Sequence, residues 1–404
     1  MPLTSHGKTN WGPLLFVAFL AILVGGGVLI YVHNLDLNYT ADVKEEKNLQ
    51  QTNLTDDQLK EEIGQMIMIG FRGTEAPENS DIYKMIKDVK IGGVVFFDYD
   101  IPSKSFPRNI IDYEQTKRLI SDVQRYSATP LLVAVDVEGG EVNRLNHKYG
   151  FLPILSPREM GQSADTGITA REAEKIATEL KELGFNMNLA PVVDVDINPE
   201  NPIIGALGRS FSSNPQEVGE HAKAFIEAHK EQNIITVAKH FPGHGSSTSD
   251  SHLGMVDVTE TYKEEELIPY QELNKEGLLD VVMTAHIINR KIDEEYPATL
   301  SANFLQGILR NRVNFDGVII SDDMQMNAIA GNYGFEDAII KAINAGCDIV
   351  AISNNSSSGY DERLPYKTLD VIYRAVKEGK IPLERIVKSY NRIYDLKRQF
   401  GIIP

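Results

Sequence analysis

The stretch Ile234-Ile235-Thr236-Val237-Ala238-Lys239-His240 runs directly into Phe241-Pro242-Gly243-His244-Gly245-Ser246-Ser247-Thr248-Ser249-Asp250-Ser251-His252. Its first half is short, β-branched and almost continuously apolar until its last two residues, as expected of a strand buried on both faces. From Lys239 to His252 the character changes. Three histidines, a lysine and an aspartate crowd into a Gly- and Ser-rich segment. An aspartate two residues from a histidine can orient the imidazole and raise its basicity. A Gly/Ser-rich loop can carry such a pair into and out of a pocket. Taken alone, the segment points to proton-transfer chemistry or to metal binding.

Seven further runs share the character of the first half: Gln65–Phe71, Gly92–Phe97, Pro130–Asp136, Asn186–Val193, Leu279–His286, Gly317–Asp322 and Cys347–Ser353. Amphipathic stretches separate them, with predicted helices over Ala170–Leu183, Pro215–Gln232 and Phe335–Ala345. Eight short buried strands alternating with helices predict an α/β fold, a (β/α)8 TIM-type barrel. A doubly wound sheet is the alternative, but no Gly-rich phosphate fingerprint follows the first strand. Polar residues gather where the runs end: Asp136 with Glu138, Asp194 with Asp196, Lys239 with His240, His286, and Asp322 with Asp323. In barrel enzymes that end of the strands holds the active site.

The chain has 404 residues, 42% of them hydrophobic, and a formal net charge of −17. That length allows one large barrel with additions. The acidity argues against a nucleic-acid partner. The one cysteine, Cys347, lies in an apolar run and reads as a buried small hydrophobe. Residues 11–32 form an uncharged, mostly apolar run of about 22 residues, long enough to cross a bilayer as a helix. Trp11 and Tyr31 stand near its ends, where interfacial aromatics belong. We expect a short cytoplasmic tail over 1–10 and a single-pass signal-anchor over 11–32. A flexible tether over 33–54 and an extracytoplasmic catalytic domain over 55–404 complete the arrangement. A cleaved, secreted form is the alternative. Thr55-Asp56-Asp57-Gln58 has capping-box spacing and marks the start of the folded part.

Paired acid/base groups with a carboxylate on another strand fit glycoside cleavage: one group protonates the leaving oxygen and the carboxylate attacks the anomeric carbon. Asp322 or Asp323 could be that nucleophile. Strand parity does not choose between them, although Asp323 has the spacing of an N-cap for a helix over Met324–Ala330.

Several separated motifs narrow this. Lys239–Gly245 with Asp250-Ser251-His252, Asp136-Val137-Glu138-Gly139-Gly140-Glu141-Val142-Asn143-Arg144, Gly208-Arg209-Ser210-Phe211 and Ser321-Asp322-Asp323-Met324 together resemble the β-N-acetylglucosaminidases of glycoside hydrolase family 3. The likeness runs from about Leu59 to Leu396. It implies a retaining exo-β-N-acetylglucosaminidase acting on terminal N-acetylglucosamine of oligosaccharides or cell-wall muropeptides, with no cofactor and no metal. By the resemblance Asp322 is the nucleophile, His252 the general acid/base and Asp250 the residue that polarises it. Asp136 accepts from sugar hydroxyls, Arg144 and Arg209 line the pocket, and Lys239 and His240 donate to the ring. Other members often take the acid/base from a second domain. This sequence ends at Pro404, soon after the last predicted helix, so the barrel loop is expected to supply the proton. Arg144 could instead pair with Glu141 or Glu138, His240 could be a satisfied core histidine, and His244 could simply brace the loop.

Other readings remain open at this level: a phosphorylase within the family, a chitooligosaccharide hydrolase, a zinc hydrolase built on His240, His244 and His252, or a non-catalytic sugar-binding protein. Pro242, Gly243 and Gly245 preclude the helical frame a histidine metal site usually uses.

Overall fold

The computed structural model describes residues 54–404, apart from Ala164 and His252. The expected tail, the apolar span and nearly all of the tether lie outside the described residues. Among the described residues no helix is long and apolar enough to cross a membrane.

Residues Asp56–Pro404 form one compact unit. It is built on eight parallel strands: β1 Ile67–Gly70, β2 Gly93–Phe96, β3 Leu132–Val135, β4 Met187–Asn188, β5 Ile235–Phe241, β6 Val281–Thr284, β7 Val318–Ile320 and β8 Val350–Ile352. Each pairs with its sequence neighbour, and β8 returns to β1 through Ile67↔Val350. The parallel bridge Ile320↔Ile349 links β7 to β8 and closes the ring. The expected barrel is therefore the observed one. Ile234–His240 stops one residue short of the end of β5, while the other seven sequence runs overshoot their strands at both ends, most at β4. There the predicted run Asn186–Val193 contributes a two-residue strand. Pro191 carries no N–H for a ladder, and pairing resumes only at the isolated bridge Val192↔Lys239.

Helices cover the outside: α1 Asp56–Gln65, α2 Tyr113–Tyr126, α3 Gly167–Leu183, α4 Pro215–Glu231, α5 Ile268–Lys275, α6 Phe335–Ala345, α7 Leu364–Lys377 and α8 Leu383–Gln399. A π-helix over Asn303–Arg312 stands between β6 and β7. In α2, Leu119, Ile120 and Val123 share one face and are buried against the barrel, which stabilises by about 1.5–3 kcal/mol per side chain. Asp112 caps this helix by accepting from the Gln115 N–H at 2.8 Å. Losing that cap costs about 1 kcal/mol.

The two ends of the barrel differ in kind. At the amino-terminal end, the fully buried Asp348 accepts from Arg310 Nη2 at 2.9 Å, Arg385 Nη2 at 3.0 Å, Ser389 Oγ at 2.9 Å and the Ile319 N–H at 3.0 Å. This hub ties the π-helix and α8 to β7 and β8. The carboxyl-terminal end carries the polar groups considered next.

Candidate active site

Strand direction and the residues just past each strand assemble the site. Asp136 follows β3. Glu138 lies in the short strand Val137–Gly139, which pairs with Val142–Asn143 and turns the chain back so that Arg144 lies beside Asp136, its N–H donating to the Asp136 carbonyl at 2.9 Å. Lys239 and His240 are the two residues before Phe241, the last of β5. Asp322 stands two residues beyond β7. Asp98, two residues beyond β2, completes the ring.

Three of these groups, Asp136, Glu138 and Lys239, form a continuous ionic network with Arg209 from the β4 loop. Lys239 Nζ lies 2.7 Å from Asp136 and 2.6 Å from Glu138. Arg209 grips Glu138 with two parallel bonds of 2.8 Å and donates to the Ile203 carbonyl at 2.9 Å. Burial alone would raise the Glu138 carboxyl, but Arg209 and Lys239 outweigh it and hold it well below the usual carboxylate range. Burial works likewise against the ammonium of Lys239, yet Asp136 and Glu138 keep it charged above the ordinary lysine value. Such an array suits hydroxyl groups: each charge is already compensated, and one N–H of Lys239 remains for a substrate.

His240 is held by Asp194, which is fully buried and receives Nδ1 at 2.7 Å, the His240 N–H at 3.2 Å and the His244 N–H at 2.7 Å. Burial pushes the Asp194 carboxyl up, and the charge and hydrogen bond of His240 more than reverse this. With Nδ1 donating to Asp194, the other ring nitrogen, Nε2, lies 3.4 Å from Arg209 Nη2. Arg144 pairs with Asp98 at 3.8 Å, rather than with Glu141 or Glu138. Nε of Arg144 and Oδ1 of Asp98 are both buried without a hydrogen-bond partner, so this corner has hydrogen-bonding capacity to spare.

Asp322 is half-buried, receives the Asp323 N–H on Oδ1 at 2.8 Å, and donates its own N–H to Thr284 Oγ1 at 3.3 Å. Asp323 departs from its expected place. The nearby helix is Asn327–Ala330 and has no side-chain cap. Asp323 instead accepts from Ser353 Oγ at 2.6 Å and the Ser353 N–H at 2.9 Å, stitching the end of β7 to the end of β8. Local spacing suggested a cap, but a partner 30 residues away took the carboxylate. Burial raises the Asp323 carboxyl above its usual range, partly countered by Ser353.

The loop after β5 is anchored at its root. His244 is buried; Nδ1 donates to Ser247 Oγ at 2.6 Å, while that hydroxyl donates to the His244 carbonyl at 2.8 Å. Burial pushes the His244 imidazole down to about 4, so it is neutral at pH 7 and braces the loop. Asn201 Nδ2 donates to the His244 carbonyl at 2.7 Å and to Ser247 Oγ at 3.0 Å. The fully buried Glu266 accepts the Gly245 N–H at 2.8 Å, and burial pushes its carboxyl up to about 7. Further out, Thr248 and Ser249 are exposed and Asp250 is half-buried. His252 lies outside the described residues. His286, a strand-end candidate, is buried on Thr299 Oγ1 at 2.8 Å and the Asp323 carbonyl at 3.0 Å. Among the described residues no group of three His, Cys, Asp or Glu side chains is placed to hold a metal ion. His240 and His244, two of the three histidines of the zinc reading, are engaged by Asp194 and Ser247.

Reasoning from sequence assigned no role to Asp98, Asp194, Glu138 or Glu266. The first three carry the strand-end signal that singled out Asp136. Glu266 carries none, because its role depends on a loop some twenty residues earlier in the chain.

With this geometry established, comparison with known proteins is direct. Residues 58–396 match the family model for the N-terminal domain of glycosyl hydrolase family 3. The chain belongs to glycosyl hydrolase family 3 and is a glycoside hydrolase. It is 32% identical over 292 residues to a beta-hexosaminidase of Tolumonas auensis, covering 72% of this chain and 83% of the relative. It is 31% identical over 317 residues to a beta-hexosaminidase of Photobacterium profundum, covering 77% of this chain and 90% of the relative. Among solved structures, a family 3 beta-N-acetylglucosaminidase from a Paenibacillus species superposes with a TM-score of 0.78 at 33% identity, over 87% of this chain. The present chain spans 63% of that longer protein.

Proposed function

We propose that the chain is a retaining exo-β-N-acetylglucosaminidase that releases terminal β-linked N-acetylglucosamine from oligosaccharides, muropeptide fragments of the cell wall among them. The observation that carries this reading is the position of Asp322 just past the end of β7, on the same rim as the binding groups Asp136, Lys239 and Arg144. Those groups bind and orient, and Asp322 is the nucleophile. Asp136, Lys239 and Arg144 face the sugar hydroxyls, with His240 and Arg209 fixing the wall behind them. In the first half-reaction Asp322 attacks the anomeric carbon as His252, polarised by Asp250, gives its proton to the departing oxygen. In the second, His252 takes a proton from the water that attacks the same carbon, and Asp322 is released. Two inversions give net retention. The relatives named beta-hexosaminidase support the substrate class.

The test is covalent capture. A 2-acetamido-5-fluoro glycosyl fluoride should leave one sugar on the peptide containing Asp322, read by mass spectrometry. Labelling of Asp323 or of no carboxylate would sink the assignment.

The apolar run over 11–32 supports a second element of the proposal, a single-pass anchor that holds the enzyme on the outer side of the cytoplasmic membrane. Protease added to cells stripped of other barriers should then remove everything after His33. Complete protection of the catalytic unit would reverse the orientation.

A further inference from the structure

Among the described residues eight large hydrophobic side chains stay exposed, and seven of them stand in loops that follow barrel strands, the exception being Tyr394 on α8. Exposed apolar surface gathered around a pocket mouth marks a place where something binds. The most organised part of this rim is aromatic. Phe106, 48% exposed, lies with its ring 4.7 Å from Tyr99 and 5.9 Å from Tyr149. Lys148 holds its ammonium 4.6 Å from the Phe106 ring and 4.7 Å from the Tyr149 ring.

Two loops meet here, and each begins on a residue of the pocket. Tyr99 and Phe106 lie in the loop that starts at Asp98. Lys148 and Tyr149 lie in the loop that continues from Arg144. Asp98 and Arg144 themselves pair across 3.8 Å. The aromatic patch is therefore the outward continuation of the corner where Arg144 Nε and Asp98 Oδ1 make no hydrogen bond.

The loop carrying Phe106 is held in place before anything binds. Asp100 takes Arg72 Nε at 2.6 Å and the buried Arg108 at 3.2 Å. Arg108 reaches Asn355 Oδ1 at 3.0 Å and the Asn354 carbonyl at 2.7 Å. Asn355 in turn receives the Ile101 N–H at 2.9 Å and donates to the Tyr99 carbonyl at 3.0 Å. An exposed aromatic surface on a pinned loop gives up little freedom on binding.

Its occupant follows from its chemistry. A pyranose presents a face of C–H groups beside a polar rim, and flat amphipathic aromatic surface complements it. The lysine adds one exposed positive charge on a chain of net charge −17, where long-range attraction of an anion is otherwise lacking. Building on the exo-glycosidase reading above, we infer that Tyr99, Phe106 and Tyr149 form the subsite for the sugar on the leaving-group side of the cleaved bond. Lys148 selects a leaving sugar that carries a carboxylate.

The test compares three substrates on the full chain: the β-fluoride of N-acetylglucosamine, which has no leaving sugar; neutral chitobiose; and a disaccharide of the same linkage whose leaving sugar bears a carboxylate. In Phe106→Ala the ratio of kcat/KM for chitobiose to that for the fluoride should fall about threefold to tenfold, mainly through KM, and Phe106→Trp should restore it. In Lys148→Gln the ratio of the acidic to the neutral disaccharide should fall about twofold to fivefold. Unshifted ratios in a folded Phe106→Ala enzyme overturn the aromatic subsite. Equal losses on both disaccharides in Lys148→Gln overturn the charge selection. A wild-type enzyme that does not turn over the fluoride removes the parent activity and the subsite with it, whereas an active wild type with unshifted ratios removes the subsite alone.

Discussion

The wall made by β3 and β5 and the loop that follows β5 solve opposite problems with similar residues. On the wall, Lys239, Asp136, Glu138, Arg209, Asp194 and His240 spend most of their hydrogen-bonding capacity on one another. Their charges are fixed by mutual contact and their positions by burial. In the loop the root is fixed through Asp194, Asn201, Ser247 and Glu266, and the buried Ser251 returns to within 3.3 Å of His244 Nε2. Between those two points Thr248 and Ser249 are exposed and Asp250 is half-buried. Binding groups must not move, because a hydroxyl array is recognised by geometry. An acid that must reach the leaving oxygen, give a proton and later take one back gains from a mobile carrier. On the proposed mechanism the fold therefore keeps its binding charges at strand ends and its acid/base pair on a glycine- and serine-rich segment.

Variants on the two sides should fail differently. The largest effect belongs to the proposed nucleophile: Asp322→Asn should lose a factor on the order of 10⁴ or more in kcat, with wild-type thermal stability and retained binding of N-acetylglucosamine by calorimetry. Loss of sugar binding in that variant would assign Asp322 to the wall instead. Next comes the loop. His252→Ala should lose on the order of 10²–10⁴ on a natural disaccharide, and much less in the glycosylation step of a nitrophenyl glycoside, whose leaving group departs without a proton. A pre-steady-state burst and rescue by azide should accompany it. Equal loss on both substrates with no burst would leave His252 a binding residue.

The wall should answer in stability. Arg209→Met leaves the buried Glu138 with Lys239 as its one remaining cation and should cost on the order of 3 kcal/mol in chemical denaturation. An unchanged midpoint would mean that water reaches the network. The root of the loop gives a pH signature of smaller size. Glu266 is held at about 7 in the folded chain against an ordinary 4.5. Below pH 4.5 both states carry the proton and no penalty exists. As pH rises towards 7 the unfolded chain ionises first, so stability is lost with rising pH. Glu266→Gln should remove this loss, a gain on the order of 3 kcal/mol at pH 8 and little at pH 4. Parallel melting curves for the two proteins across that range would show Glu266 to be ionised freely. The smallest effect is expected at Asp323→Asn, which weakens the tie to Ser353 and should cost about 1 kcal/mol. A collapse of activity there with Asp322→Asn active would invert the two roles.

The barrel was legible because parallel strands buried on both faces leave uninterrupted apolar runs, and the residues that end those runs share one rim by construction. Phe335–Ala345 was readable to the residue, since Gly346 ends the helix with a positive φ of 138°. Asp322, Asp136, Lys239 and His240 were readable as strand-end polar groups. What escaped was pairing at a distance. Nothing near Arg144 in sequence says that its carboxylate is Asp98, 46 positions earlier. Nothing near Asp323 points to Ser353 rather than to the helix that follows. Glu266 sits inside a run of glutamates whose other members face water, and only the packing of Gly243 and Gly245 against it distinguishes it.

The arrangement of the wall also governs how the pocket responds to its medium. Asp136 and Glu138 face Lys239 and Arg209, so two negative charges meet two positive ones within a few ångströms. Such a surface serves as its own counter-ion. A neutral sugar that enters it displaces no ions to the buffer, and added salt finds no bare charge to screen there. Ionic strength therefore has little purchase on recognition of the terminal sugar. What sensitivity the enzyme shows to salt arises at the rim, where Lys148 stands in water.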